Sequence, residues 1–493
     1  MTKKLFTFFT LFCLSIFASA QSIEDKLVDR LVEYTSIYTQ SEYDVDEVPS
    51  TEQQRVLATI LAEELIRLGV SEEDIDIDEH SILTATIKGN VENAPTVFIS
   101  AHLDTSPDLD LQGKAPIPVV HDYEGGDLKI NDELTLTQEK NEFLKDAVGG
   151  KVITSDGTTL LGGDDKAGMA VVMTLAETFL QDPNIPHGDI RIIFTPDEEV
   201  GNSTKYLTKE KINADFGLVL DSHGFGRIVV ENFNATDFTY TVTTPPAGHP
   251  GYSSNVPALN IANDFVARFP EELAAFNSSG KQGYIGYHKV QKISDTEYKV
   301  YGRLRSFELN EMSKYKNKLK QWATKTAEKY GMGYTEIYNG NTIKDGGTAA
   351  PVAVLNIRDS YFNSKEVLKN YPTNYNLLVK AYETAGVEMR AESGRGGSDA
   401  GDITYLGIPT YNMFAGSHNE HSQDEWVSSK QMLASYNVAL NYLTLMGGKD
   451  REQMLEEGHF NSEPITPIKA LDFLIKSISR KIANQYGNSL SNQ

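Results

Sequence analysis

The chain has almost no sulfur chemistry to offer. Its 493 residues include one cysteine, Cys13, so disulfides and a thiolate metal site are excluded, and any metal has to be held by histidine and carboxylate. Positive charge is the next shortage. Lysine and arginine number 45 against 69 acids, a formal net charge of -24, which argues against nucleic acid or an anionic membrane as a partner. Past residue 20 no apolar run is long enough to span a bilayer, and no repeat or low-complexity block occurs. What remains, 40% hydrophobic and 23% charged, is the balance of a globular protein. The length exceeds what one core normally fills, so two domains are expected.

The first twenty residues differ from the rest. Lys3 and Lys4 precede an apolar run from Leu5 to Phe17, and Ala18-Ser19-Ala20 stands before Gln21. That order is the pattern of a secretory signal cleaved after Ala20. The expectation is a protein exported to a periplasm or the medium, without Cys13 and without a membrane span once residues 1–20 are removed.

Several short apolar runs end abruptly in possible ligands. Ile190 to Phe194 runs into Asp197-Glu198-Glu199, Thr96 to Ser100 into His102-Leu103-Asp104, and Phe216 to Leu220 into Asp221. Each reads as a buried strand by its β-branched content, and open α/β sheets present ligands at the carboxyl ends of their strands. Side chains alternate along an extended chain, so Glu198 and Glu199 cannot easily do the same job; one can grip a cation while the other handles protons. Gly162-Gly163-Asp164-Asp165 opens an apolar helix-like run from Met169 to Leu180, and Gly407 to Phe414 precedes His418 and His421. Thr51-x-x-Gln54 reads as a capping box for a helix whose apolar positions are Val56, Leu57, Ile60, Leu61 and Leu65, stopped by Gly69. Residues 105 to 150 carry no clear pattern. From about Asp237 to Asn363 alternating strands and a helix-like Glu308 to Tyr330 suggest an inserted domain, and the tail carries a helix-like Ile468 to Ile482.

In chain order the donors are His102-x-Asp104, Asp164-Asp165, Glu198-Glu199, Asp221 and His421. Oxygen and imidazole donors of this kind suit two divalent ions, zinc first, with manganese or cobalt as substitutes. With these residues in view, the sequence resembles the peptidase T group of tripeptide aminopeptidases, within the co-catalytic zinc metallopeptidases that include carboxypeptidase G and the aminoacylases. The matching stretches are His102 to Asp108, Ser155 to Gly168, Phe194 to Gly201, Glu231 to Asn234, His249-Pro250-Gly251, Arg395 to Asp399, and His421. The resemblance implies an α/β fold: a mixed-sheet catalytic domain with helices on both faces over residues 21–236 and 364–446, and an inserted α+β lid domain over 237–363. Residues 447–493 would be a C-terminal extension. It further implies His102 and Asp221 on one ion, Glu199 and His421 on the other, Asp164 bridging, Asp104 orienting the far nitrogen of His102, and Glu198 as general base. Short peptides, tripeptides first, are the implied substrates, with room for a homodimer through the lid.

Three residues are implied on the substrate side. His249, otherwise a surface turn histidine, would polarise the substrate carbonyl. Arg305, otherwise a solvated strand charge, would hold its carboxylate, and Arg395 belongs to a loop that either faces substrate or is merely a turn. The chain also departs from the group: Asp221-Ser222-His223 replaces a glycine pair, Ile343 to Pro351 looks inserted, and export is foreign to a group whose usual setting is cytoplasmic. His223 is a further possible donor, though His223 and His418 read more simply as polar walls of the site. A carboxypeptidase or deacylase of the same chemistry is the competing enzyme, distinguished by whether a free substrate amine is required. A non-catalytic peptide-binding module would be expected to have lost a ligand or the base, and none is missing.

Overall fold

Runs rich in isoleucine, valine and phenylalanine settle as strands of one eight-stranded mixed sheet. The computed structural model describes residues 21–246, 248 and 255–458; the leader, His249 and the helix expected at 468–482 lie outside the described residues. Across the sheet the strands are Ile75–Ile77, Leu83–Ile87, Ile190–Thr195, Val97–His102, Phe216–Ser222, Thr410–Phe414, Arg227–Asn232 and Arg390–Gly394. From Ile190–Thr195 to Thr410–Phe414 the four central strands are parallel and mostly buried.

Side chains alternate between two cores, as the period of a strand requires. Ile99, Ile192 and Leu218 join a core with the helices Ile23–Thr35, Glu52–Leu68, Gly163–Gln181, Pro372–Ala385 and Ser429–Gly447. Phe98, Ile193 and Val219 face the other way, against Ile212, Ala400 and Ile403. Helices therefore cover both faces, the arrangement expected for a parallel sheet. Each fully buried aliphatic side chain is worth about 1.5–3 kcal/mol, so the central strands form a firm base for whatever stands at their ends.

Between Asn234 and Tyr361 the chain builds a second, six-stranded sheet. Its own core includes Phe238, Tyr240, Phe265, Leu304, Leu319 and Leu355, and the helices Ala258–Val266 and Leu309–Lys329 pack on that face. The stretch that looked inserted, Ile343 to Pro351, begins inside the edge strand Asn341–Lys344 and continues beyond it as a loop. The patternless stretch 105 to 150 supplies Val119–Tyr123, which pairs with Gly150–Thr154 in a four-stranded sheet.

Two local expectations fail for tertiary reasons. Gly69 ends the helix Glu52–Leu68 in the left-handed conformation, as read, but the capping box does not form. The Thr51 hydroxyl donates to Gln40 O at 2.9 Å and the Gln54 amide reaches Asp197 at 2.7 Å. Val56, assigned to the apolar face, is 50% exposed.

Candidate metal centre

Three adjacent parallel strands deliver the first donors to one edge. Val97–His102 ends on His102, 2% exposed. Ile190–Thr195 beside it leads into Asp197, Glu198 and Glu199, and Phe216–Ser222 on the other side carries Asp221. Asp164 comes from the start of Gly163–Gln181, where Asp164 and Asp165 leave helical geometry. His421 sits in the loop after Ser417–His418 with a positive φ of 62°.

These side chains converge. His102 Nε2 lies 3.0 Å from Asp164 Oδ1 and 3.6 Å from Asp221 Oδ1. His421 Nε2 lies 2.9 Å from Glu199 Oε2 and 3.5 Å from Asp164 Oδ2. Asp164 thus stands between the two histidines with one oxygen toward each. Donor atoms of His102, Asp164 and Glu199 fall within 4.8 Å of one another, as do those of His102, Asp165 and Asp221. Asp165 is already engaged, accepting the backbone N–H of His102 and of Gly168, each at 3.2 Å.

The charge balance favours cations. Burial, then the neighbouring Asp164, pushes Glu199 up to about 7 and Asp221 up to about 8. Burial, then Asp221 and Asp399, holds Glu198 well above the usual carboxylate range. Burial would lower His102, but its hydrogen bonds to Asp104, Asp164 and Asp221 raise it well above an ordinary histidine. His421 is pushed up to about 12 by Asp164 and then Glu199. Two histidines are thus set against a surplus of buried acid, and like charges this close oppose one another's ionisation. Glu199 Oε1 is buried with no hydrogen-bond partner among the described residues. An orphan carboxylate oxygen among imidazole and carboxylate donors fits a divalent cation.

Around the donors stands a frame that spacing alone did not reveal. Asp104, fully buried, accepts the backbone N–H of Glu198 at 3.0 Å and of Glu199 at 3.2 Å. Its main-chain carbonyl lies 3.0 Å from His102 Nδ1 and its carboxylate 3.3 Å. Asp197 takes Ser50 N and Oγ, each at 2.6 Å, and Gln54. Asp399 takes Thr195 Oγ1 at 3.0 Å and Ser203 Oγ. Glu425 accepts the N–H groups of Leu161, Gly162 and Asp164, and Asp108 lies 2.9 Å from His421 Nδ1. Asp108 fell inside a quoted motif; Glu425 had no signal at all.

The other candidates are engaged with partners of their own. Arg305 is buried, donating to the carbonyls of Thr236 and Leu304 and to Asp237 at 3.2 Å. Arg395 donates to the carbonyls of Ser278, Gly280 and Gln282, so it bridges the two sheets. His223 Nε2 is 2.8 Å from Arg227. His418 is buried, bonded to Gln431 at 2.6 Å and stacked on Trp426.

Buried and half-buried imidazole and carboxylate donors at the carboxyl edge of a doubly covered mixed sheet, with a second sheet-and-helix unit beside them, define the class as an α/β metallohydrolase. The chain belongs to Peptidase family M20/M25/M40, which it matches over residues 161–445. Peptidase T of Halothermothrix orenii is 34% identical over 430 residues, 86% of this chain and 100% of the relative. Peptidase T of Clostridium novyi is 32% identical over 428 residues, 85% of this chain and 99% of the relative. Aminopeptidase PepT from Bacillus cereus superposes with a TM-score of 0.62 at 22% identity, covering 86% of this chain and 99% of that one. YXEP of Bacillus subtilis, a dinuclear metal binding peptidase from the M20 family, gives 0.56 at 14%, covering 86% and 99%. At such identities the solved structures speak for the fold. By family the chain is an enzyme, a metallo-aminopeptidase of the peptidase T group.

The comparisons overturn the expected export. Peptidase T proteins such as those of Clostridium novyi and Halothermothrix orenii belong to the group to which export was already foreign, and 85–87% of this chain spans 99–100% of the length of such relatives. Their length thus has little room for a counterpart of the leader. The exported address and the cleavage after Ala20 are withdrawn.

Proposed function

We propose that the protein removes the N-terminal residue from tripeptides with two divalent cations, zinc first and manganese or cobalt as substitutes. Supporting this most directly is the position of Asp164 between His102 and His421, with Asp221 beside the first and Glu199 beside the second. His102 and Asp221 would hold one cation, Glu199 and His421 the other, and Asp164 both. When bound, the pair supplies Lewis-acid polarisation of the scissile carbonyl and a water acidified toward neutral pH.

The chain's own residues do the rest. Glu198, whose carboxylate makes no hydrogen bond or ion pair among the described residues, takes a proton from the attacking water and passes it to the leaving amine. Asp104 fixes Glu198 through its N–H and orients His102 from behind. On the substrate side, His249 would polarise the carbonyl. Arg305 would serve the carboxylate end and Arg395 would hold the facing loop. The working division is a catalytic part, 21–236 and 364–446, a lid, 237–363, and an extension, 447–493.

A peptide panel tests the reading. Tripeptides with free ends should be cleaved after the first residue, and N-acetylated versions should be poor substrates. A chelator should abolish turnover and added zinc restore it. Equal cleavage of free and N-acetylated tripeptides would reject an aminopeptidase in favour of a deacylase.

A further inference from the structure

The two histidines of the candidate metal centre are held in different ways. His102 ends a buried strand and is 2% exposed, with fully buried Asp104 behind it. His421 belongs to a loop, its side chain is 35% exposed, and its backbone stands in the left-handed region. A non-glycine residue stays in that region only where its surroundings fix it. The Nε2 of His421 faces Glu199 and Asp164, so Nδ1 is the nitrogen left to anchor the ring. Nδ1 lies 2.9 Å from Asp108 Oδ2 and 3.2 Å from Ser106 Oγ. With a cation on Nε2, the proton of the neutral ring sits on Nδ1, which then donates to the carboxylate.

Asp108 is itself held from a distant part of the chain. The Tyr43 hydroxyl donates to its other oxygen, Oδ1, at 2.7 Å. Shortly before Tyr43, the Gln40 amide donates to the carbonyls of Ser106 and Leu109 at 2.9 and 2.7 Å, and its oxygen accepts the N–H of Leu111 at 3.2 Å. Backbone bonds of 3.1 Å, from Thr105 N to Thr39 O and from Ser41 N to Thr105 O, continue the same seam. The segment 39–43 thus pins the loop on both sides of Asp108, and Tyr43 aims the carboxylate. Both side chains are about half exposed. A polar contact between groups so exposed adds little to folding stability, and the side chain it acts on is His421.

We propose that Asp108, aimed by Tyr43, is a positioning residue for His421 and sets how tightly the cation at Glu199 and His421 is held. The proposal rests on the two-cation reading, and its test separates the two. The zinc-loaded full chain is titrated with a chromophoric chelator, and the zinc released per chain is read by absorbance. Wild type should give up two ions. In Asp108→Ala one ion should be held about 10–100-fold less tightly, while the other leaves as in wild type and so reports that the rest of the centre is intact. Tyr43→Phe, which alters no group in contact with a proposed ligand, should weaken the same ion by less. Asp108→Asn keeps an acceptor for the Nδ1–H and should lie between wild type and Asp108→Ala. His421→Ala identifies the ion, because the one loosened in Asp108→Ala should be the one this variant fails to hold. Release unchanged in both Asp108→Ala and Tyr43→Phe, or shifted alike for both ions, overturns the proposal and leaves the two-cation reading standing. A wild type that holds a single ion rejects that reading, and the proposal with it.

Discussion

Glu198 and Glu199 are sequence neighbours with opposite surroundings. Glu199 meets His421 at 2.9 Å, while the Glu198 carboxylate meets no donor among the described residues and is held protonation-prone by burial, then by Asp221 and Asp399. A carboxyl without a charged partner, in surroundings that oppose its ionised form, suits taking and releasing a proton better than charge pairing. Glu198→Gln keeps the volume and removes the proton acceptor. Turnover of tripeptides should fall by about 10²–10⁴, with bound metal by elemental analysis and melting temperature both unchanged. Wild-type turnover in this variant would show that another group takes the proton.

At the scale of the element, the turn from Pro196 to Gly201 is held by aspartates from three separate places. Asp104 binds the N–H groups of Glu198 and Glu199, Asp197 is gripped by Ser50 and Gln54, and Asp399 binds Thr195 before the turn and Ser203 after it. Asp399→Asn keeps the shape but removes a negative charge that raises Glu198, so the Glu198 pKa should fall. A base must be unprotonated to act, so the acid limb of the kcat/KM profile should move to lower pH, with kcat reduced and metal content retained. An acid limb that stays put would assign Asp399 a purely structural part. The strands on either side were legible in the sequence, since β-branched runs ending in Asp104, Glu198 and Asp221 state both their conformation and their cargo. The bracing was not legible. Thr51 abandons its capping box for Gln40, and Gln54 turns to a residue 143 positions away, because a buried carboxylate outcompetes a local cap. Glu425, which binds three N–H groups around Asp164, has no periodicity or neighbouring motif to mark it. Its partners exist only after folding.

Across the whole molecule, polar contacts and buried aromatic packing join the two sheets where the chain crosses between them. Asn232 accepts the N–H of Ser364 at 2.8 Å, and Asn234 accepts that of Asn363 at 3.0 Å, so the outgoing and returning strands are stitched together. To one side, buried Glu231 takes Lys365 at 2.9 Å, Ser393 at 2.6 Å and Lys281, while Arg395 donates to three carbonyls and a hydroxyl between Ser278 and Gln282 and lies 4.9 Å from the Phe233 ring. Arg395 was legible only as a member of a glycine-rich loop, since its carbonyl partners lie more than 100 residues away. Hinges are short segments that absorb backbone change, and Arg395 ties the 278–282 loop beside the crossing at the stitched asparagines, so its loss is expected to loosen this junction. Arg395→Ala leaves the donors around His102 and His421 untouched but frees the 278–282 loop. Closure over substrate should then become less favourable, raising KM by about tenfold, the worth of roughly one charge-assisted hydrogen bond, with a smaller change in kcat. The radius of gyration of the peptide-free protein in solution scattering should rise, and it should return to the wild-type value when an uncleavable tripeptide analogue saturates the variant. If scattering and KM both stay at wild-type values, the remaining contacts, Glu231, the asparagines and the packing of Phe233 on Tyr284 and Phe307, hold the junction without Arg395.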